Sequence, residues 1–183
     1  MTQAEATRFA ALYERYYPYV YAYCRRRSYQ DAVDDLVADV FLTVWRKISD
    51  APAGDDALRW LYRISYLVLS NHWRRSGRQQ KLREKLRTIG VDPMPLIPDP
   101  LVVREEVREV LEAARRLRRE DQELLRLSLW EGLSTADMAG VLGVTPNAAK
   151  QRLHRARKRL VREHEKMTSH SAVSPAALKG GEA

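Results

Sequence analysis

Between residues 91 and 100 the chain reads Val-Asp-Pro-Met-Pro-Leu-Ile-Pro-Asp-Pro, four prolines in ten residues. Each proline removes a backbone donor and pushes the residue before it out of the helical region, so neither a helix nor a central strand can pass through. A chain of 183 residues is thereby split into two parts that must each bury a core of their own. On both sides apolar residues recur every three or four positions, and no strand pattern or internal repeat is visible. The expected fold class is all-α: two small helical domains joined by a flexible linker, the C-terminal one a helix-turn-helix. The expected boundaries are 1–76, a linker over 77–101, 102–166, and a Ser/Ala/Gly/Pro-rich tail over 167–183 that reads as disordered.

The helix-turn-helix lies in Ser134–Leu160. Ser134 can cap a helix, and Asp137 three residues on completes a capping-box pattern. Gly143 supplies the backbone freedom of a tight turn. Thr145-Pro146 is a cap followed by proline at the first helical position, which restarts the helix. Ala149, Leu153, Ala156 and Leu160 form one apolar face. Lys150, Gln151, His154, Arg155 and Lys158 fall elsewhere on the same helix, as in a recognition helix that enters a DNA major groove. Upstream, helices are expected over about 102–117 and 120–130.

Three helices are expected in the N-terminal part. The first spans 5–27, with a stripe of Phe9, Leu12, Tyr13, Tyr16, Val20 and Tyr23, and Pro18 is expected to bend or interrupt it. Residues 29–48 carry Val33, Leu36, Val37, Val40, Phe41, Val44 and Ile48 on one face. Asp31, Asp34 and Asp35 suit the positive start of this helix, and Arg46 and Lys47 its negative end. Residues 49–56 form a loop by composition. The third helix is expected from Ala57 to Arg75, with Leu58, Leu61, Ile64 and Val68 inward and Leu67 beside them. Its end, Asn71-His-Trp-Arg-Arg75, mixes amide, indole and cations, a set suited to nucleic acid.

Charge is uneven as well as high, with a formal net of +8. Residues 61–90 hold eight Lys/Arg against one acid, residues 150–166 eight against two, and residues 91–125 six against nine. Two basic patches flanking an acidic middle fit a protein that touches nucleic acid at two separated places. Cys24 is the one cysteine, so neither a disulfide framework nor a cysteine metal site can form, and a reducing compartment fits best. With no apolar run of membrane-spanning length and no signal-peptide pattern, a cytoplasmic location is expected. His72, His154, His164 and His170 lack partners at zinc spacing, and no glycine-rich phosphate loop or nucleophile–base pair is present. The expectation is a binding protein rather than an enzyme, without catalytic residues, metal or cofactor.

Several segments resemble the extracytoplasmic-function group of the sigma-70 family of RNA polymerase sigma factors. Leu12-Tyr-Glu-Arg-Tyr-Tyr-Pro18, Asp34-Asp-Leu-Val-Ala-Asp-Val-Phe-Leu-Thr-Val-Trp45 and Trp60-Leu-Tyr-Arg-Ile64 resemble its domain 2. Glu131-Gly-Leu-Ser-Thr-Ala-Asp-Met-Ala-Gly-Val-Leu-Gly-Val144 and Arg152-Leu-His-Arg-Ala-Arg157 resemble its domain 4. The resemblance covers about residues 8–164, in the family's order. It implies a dissociable subunit that binds core RNA polymerase and directs promoter recognition and transcription initiation. A stand-alone helix-turn-helix regulator is the alternative, and it leaves the acidic second helix and basic third helix unexplained.

The resemblance also assigns residues. Asp35, Asp39, Leu42, Thr43 and Arg46 match the face that docks on core polymerase. Residues 49–56 match the loop that captures a base flipped from the −10 element, where unpairing and recognition are coupled. Arg63, Tyr66, Leu67, Asn71, Arg74 and Arg75 match contacts to the displaced strand, and Trp73 is a candidate stacking group, whereas Trp60 reads as core. The family usually places an arginine–asparagine pair where this chain has Tyr66-Leu67, which implies an altered −10 preference. For the −35 element, Lys150, Gln151, His154 and Arg155 match groove-facing positions. Arg152, Arg157 and Lys158 match phosphate contacts, and Asn147 sits at the helix start where free N–H groups favour phosphate. Ala149 stands where a β-branched residue is common, which implies looser packing. In many relatives an anti-sigma factor wedges between the domains, and the proline-rich linker permits such a partner here.

Overall fold

A computed structural model describes residues 2–84 and 105–172, with side chains over 2–75 and 107–169. Seven α-helices and two single 3₁₀ turns make up the described chain, which contains no strand among those residues. The fold class is all-α, in two compact units, one built on the first three helices together with residues 139–143 and the other on the remaining described residues. No helix among the described residues is long and apolar enough to cross a membrane.

Helix α1 spans Gln3–Arg25. Thr2 and Glu5 close a reciprocal capping box: the Glu5 N–H donates to Thr2 Oγ1 at 3.2 Å, and the Thr2 N–H donates to Glu5 Oε2 at 2.7 Å. That backbone donor also lowers the Glu5 carboxyl below its ordinary value. The helix runs through Pro18 without the expected break. Pro18 and Glu14, whose carbonyl loses its partner, are both exposed, so water can take the orphaned acceptor and the interruption costs little.

Helix α2 spans Val33–Arg46, preceded by a 3₁₀ turn at Gln30–Ala32 and followed by one at Ile48–Asp50. All seven apolar residues expected over 29–48 are buried, six on α2 and Ile48 in the 3₁₀ turn after it. Phe41 anchors an aromatic cluster, with its ring centroid 4.6 Å from Tyr13 and 6.0 Å from a near-parallel Tyr17, and Phe9 meets it edge-on. Trp45 packs edge-on against Phe9 at 4.8 Å.

Helix α3 spans Asp56–Glu84, nine residues past the expected end at Arg75. The linker expected over 77–101 therefore begins inside a helix, and its remainder lies outside the described residues. The inward register also differs. Ala57, Leu61, Tyr62, Ile64, Ser65 and Leu69 are buried, whereas Leu58 and Val68 are half-buried and Leu67 is exposed. The shift follows from the Tyr62 ring, which stacks 5.2 Å from Tyr23 of α1 and draws that side of the helix inward. The fully buried Arg27 guanidinium lies 3.6 Å over the Tyr23 ring and donates to the Tyr23 carbonyl at 3.2 Å. This cation–π contact is made where water does not compete.

Four helices follow, α4 (Glu105–Arg115), α5 (Arg119–Leu129), α6 (Thr135–Leu142) and α7 (Pro146–Ala172), of which α4, α5 and α7 lie in the second unit. Residues 121–127 of α5 are all buried, polar ones included. Gln122 satisfies the end of α4, its Nε2 donating to the carbonyls of Arg115 at 3.2 Å and Leu117 at 2.9 Å. Helices α4 and α5 both pack against α7. The last helix continues to Ala172, so the tail expected to be disordered from 167 starts as helix, and residues 173–183 lie outside those described.

Candidate nucleic-acid interface

The turn between α6 and α7 is built as the residue types demand. Asp137 N–H donates to Ser134 Oγ at 3.1 Å, and the Ser134 hydroxyl donates to Asp137 Oδ2 at 2.6 Å. Gly143 takes φ +69°, and its N–H closes on the Ala139 carbonyl at 2.8 Å. A left-handed residue at this point ends a helix cheaply when it is glycine. Thr145 Oγ1 then accepts the Ala148 N–H at 3.2 Å and restarts the chain as α7.

On α7, Ala149, Leu153 and Ala156 are buried and Leu160 half-buried. Ala149, expected to pack loosely, is 0% exposed. At about 100° per residue, Asn147, Gln151, His154 and Lys158 stand opposite this face, with Lys150 and Arg155 on its flanks. All six are exposed. Cations, an amide and an imidazole on one outward face can reach base edges and phosphates together. Arg152 is exposed but turned away from the centre of this face. Arg157 turns back, its Nη2 donating to Ser128 Oγ of α5 at 3.2 Å.

On α3, Arg63, Leu67, Ser70 and Arg74 form one stripe by helical periodicity, with Tyr66 and Trp73 to one side and Asn71 and Arg75 to the other. Leu67, Asn71, Arg74 and Arg75 are exposed, and Tyr66, Trp73 and Trp60 are half-buried. Arg74 bonds the Asn71 side chain and the Ser70 carbonyl. This stretch of the helix therefore presents a linked amide–guanidinium pair beside an indole.

The loop before α3 is held by residues that periodicity did not single out. The Arg8 guanidinium donates to the Ala51 carbonyl, and the Tyr16 hydroxyl donates to the Gly54 carbonyl at 3.3 Å. Gly54 has φ +63°, and its carbonyl also accepts the Ala57 N–H at 3.2 Å. The sequence pattern places Tyr16 in the apolar stripe of the first helix and does not single out Arg8. No sequence signal marks contacts across about forty residues.

On α2, Asp35, Asp39, Leu42 and Arg46 are exposed along one stripe, and Leu42 leaves 47% of its surface uncovered. An apolar side chain between two acids and a cation is the makeup of a protein-docking surface. Thr43 is half-buried, its hydroxyl donating to the Asp39 carbonyl at 2.9 Å.

Comparison with known proteins adds to this geometry. Residues 12–79 match the family described as Sigma-70 region 2, and residues 107–160 match Sigma-70, region 4. The ECF RNA polymerase sigma factor BldN of Streptomyces coelicolor is 31% identical over 162 residues, which are 86% of this chain and 61% of BldN. The ECF RNA polymerase sigma factor SigF of Caulobacter vibrioides is 31% identical over 130 residues, 70% of this chain and 68% of SigF. The chain thus spans less than two thirds of BldN, and 32% of a third similar protein, the probable RNA polymerase sigma factor RfaY of Xanthomonas campestris pv. campestris. Among solved structures, the sigma factor RpoE of Bartonella quintana, crystallised with the anti-sigma factor NepR, shares the fold. Its TM-score is 0.68 at 23% identity, over 86% of this chain and 96% of RpoE.

Proposed function

The chain belongs to the extracytoplasmic-function group of the sigma-70 family, and from that premise we propose that it binds core RNA polymerase and directs it to promoters. The observation that carries this reading is the pairing, on one chain, of region 2 with an acid-and-leucine docking face and region 4 with an exposed cationic recognition face. In this reading Asp35, Asp39, Leu42 and Arg46 meet polymerase, with Thr43 shaping the backbone between them. Arg63, Tyr66, Asn71, Trp73, Arg74 and Arg75 hold the displaced strand at the −10 element. Asn147, Lys150, Gln151, His154, Arg155 and Lys158 read the −35 element, with Arg152 at its edge.

The loop over 49–56 receives the flipped base, and Arg8 and Tyr16 hold that loop in shape. Reading one base after it leaves the stack makes strand opening part of recognition. Tyr66 supplies a ring for stacking, whereas Leu67 offers no hydrogen bond, so −10 selectivity leans on shape and stacking. The protein contributes binding energy and no catalysis of its own, and acts in the cytoplasm. An anti-sigma factor is a further partner in this reading, supported by the likeness to a fold solved with one.

The test is transcription from a genomic library with purified core polymerase, with and without this protein, mapping start sites. New start sites sharing −35 and −10 sequences support the proposal. A chain that neither co-purifies with core nor directs initiation, yet binds an operator by itself, would be a stand-alone regulator.

A further inference from the structure

Arg159 lies in the most basic stretch of α7, where the simple expectation for every cation is a phosphate. Its geometry is different. Arg159 Nη1 reaches both carboxylate oxygens of Asp121, at 2.9 and 2.6 Å, across 38 residues of sequence. The Asp121 side chain is 8% exposed and that of Arg159 46%. A buried acid held by a half-exposed guanidinium is a fixed point, because releasing the cation strands the acid. Asp121 is in the first turn of α5, whereas Ser128, the partner of Arg157, is in its last. About 10 Å of helix separates the two anchor points.

On α7 the two arginines flank Ala156, which is 0% exposed. At about 100° per residue they project to opposite sides of the buried stripe. Packing against α4 and α5 seats α7, and a single tie would add a restraint on one side of the buried stripe only. Two ties to opposite ends of α5 fix the direction in which the recognition helix points.

We propose that Arg159–Asp121, with Arg157–Ser128 as its counterpart, is a two-point clamp that sets the aim of α7, so that Arg159 is a positioning residue for −35 reading and not a phosphate contact. The proposal rests on the promoter-recognition reading above only for its consequence on DNA; the clamp itself is a property of the free chain.

The test uses full-length protein in two measurements. In the first, holoenzyme binding to a duplex carrying a promoter mapped as above is followed against salt, beside the same duplex with −35 bases substituted. Arg159→Ala, Arg159→Lys and Asp121→Asn should each lower discrimination by about tenfold, the scale of one good base contact, with the slope of log K against log[salt] unchanged. Lysine keeps the charge but not the two-oxygen geometry. Lys158→Ala, matched to a phosphate contact, is the comparison, expected to reduce the slope by about 0.9. If Arg159→Ala reduces the slope equally, or if Asp121→Asn tightens binding by releasing a cation to the phosphates, Arg159 is a DNA contact and the clamp is wrong.

The second measurement is amide hydrogen exchange over residues 146–160 without DNA. Faster exchange in Arg159→Lys and Asp121→Asn supports the clamp, and unchanged protection in both overturns it. Should wild-type holoenzyme select no promoter, the function fails while exchange still decides the clamp.

Discussion

The Tyr16 hydroxyl donates to the carbonyl of Gly54 at 3.3 Å, so a side chain rooted in the α1 core holds the corner of the loop that leads into α3. Gly54 sits at φ +63°, and a Cβ placed there would meet nothing within 4 Å. Substitution at this corner is therefore governed by backbone conformation and not by space. Gly54→Ala should cost about 1–2 kcal/mol from the left-handed penalty alone. Tyr16→Phe should cost about 0.5–1.5 kcal/mol, the net worth of a hydrogen bond. Both are read by thermal or urea unfolding, and both should slow promoter opening more than they weaken binding to closed duplex. Opening at the wild-type rate would remove the loop from the mechanism.

Asp39 and Leu42 are neighbours on the exposed face of α2, outside the core that the opposite face builds. Asp39→Arg and Leu42→Ala should leave helix content and melting temperature near wild type. Each should lower affinity for core polymerase by about tenfold or more. A pull-down titration with core measures this, and undiminished capture by both variants would place the docking surface elsewhere.

Lys150 and Arg155 flank the outward face of α7 and are exposed. Alanine at either should weaken −35 recognition by about 1–3 kcal/mol if it contacts a base, and should relax selectivity at one position only. Footprinting on single-base promoter variants resolves the position. Uniform weakening across all variants would reassign the residue to the phosphate backbone.

Burial pushes the Cys24 thiol from 9.0 up to about 12, with nearby Arg27 working in the opposite direction. The unfolded chain loses this proton near pH 9 while the folded chain keeps it to about pH 12. Unfolding therefore releases a proton in that window, and the thiol's effect on stability is nil below pH 9 and increasingly adverse as pH rises through it. Cys24→Ala should show a shallower alkaline decline than wild type, by at most about 1.4 kcal/mol per pH unit. Urea titrations at pH 8, 9 and 10 compare the slopes. At neutral pH the buried thiol should react with iodoacetamide only as fast as the chain opens, and rapid labelling of native protein would contradict its burial.

What could be read from the sequence was what is local along a helix. The six apolar positions of α2 were legible because burying one stripe imposes a spacing of three and four. The caps at Ser134 and Thr145 and the turn at Gly143 were legible because each group acts within four residues of itself. The family's two regions were legible in motifs that keep their order along the chain, and that resemblance, rather than periodicity, assigned the candidate faces of α2, α3 and α7.

Tertiary structure decided the rest. Tyr62 is core and Leu67 is exposed because Tyr23 supplies a ring to stack on, which no pattern within α3 could announce. Pro18 passes through α1 because Glu14, whose carbonyl it leaves without a partner, is exposed. Arg157 and Arg159 look like any cations of a basic helix, and what separates them from Arg155 is the side chains of Ser128 and Asp121 on another helix. Periodicity sorts a residue to a face because backbone geometry repeats. A hydrogen-bond partner a long way off in sequence repeats nothing, so its identity exists only once the helices have packed.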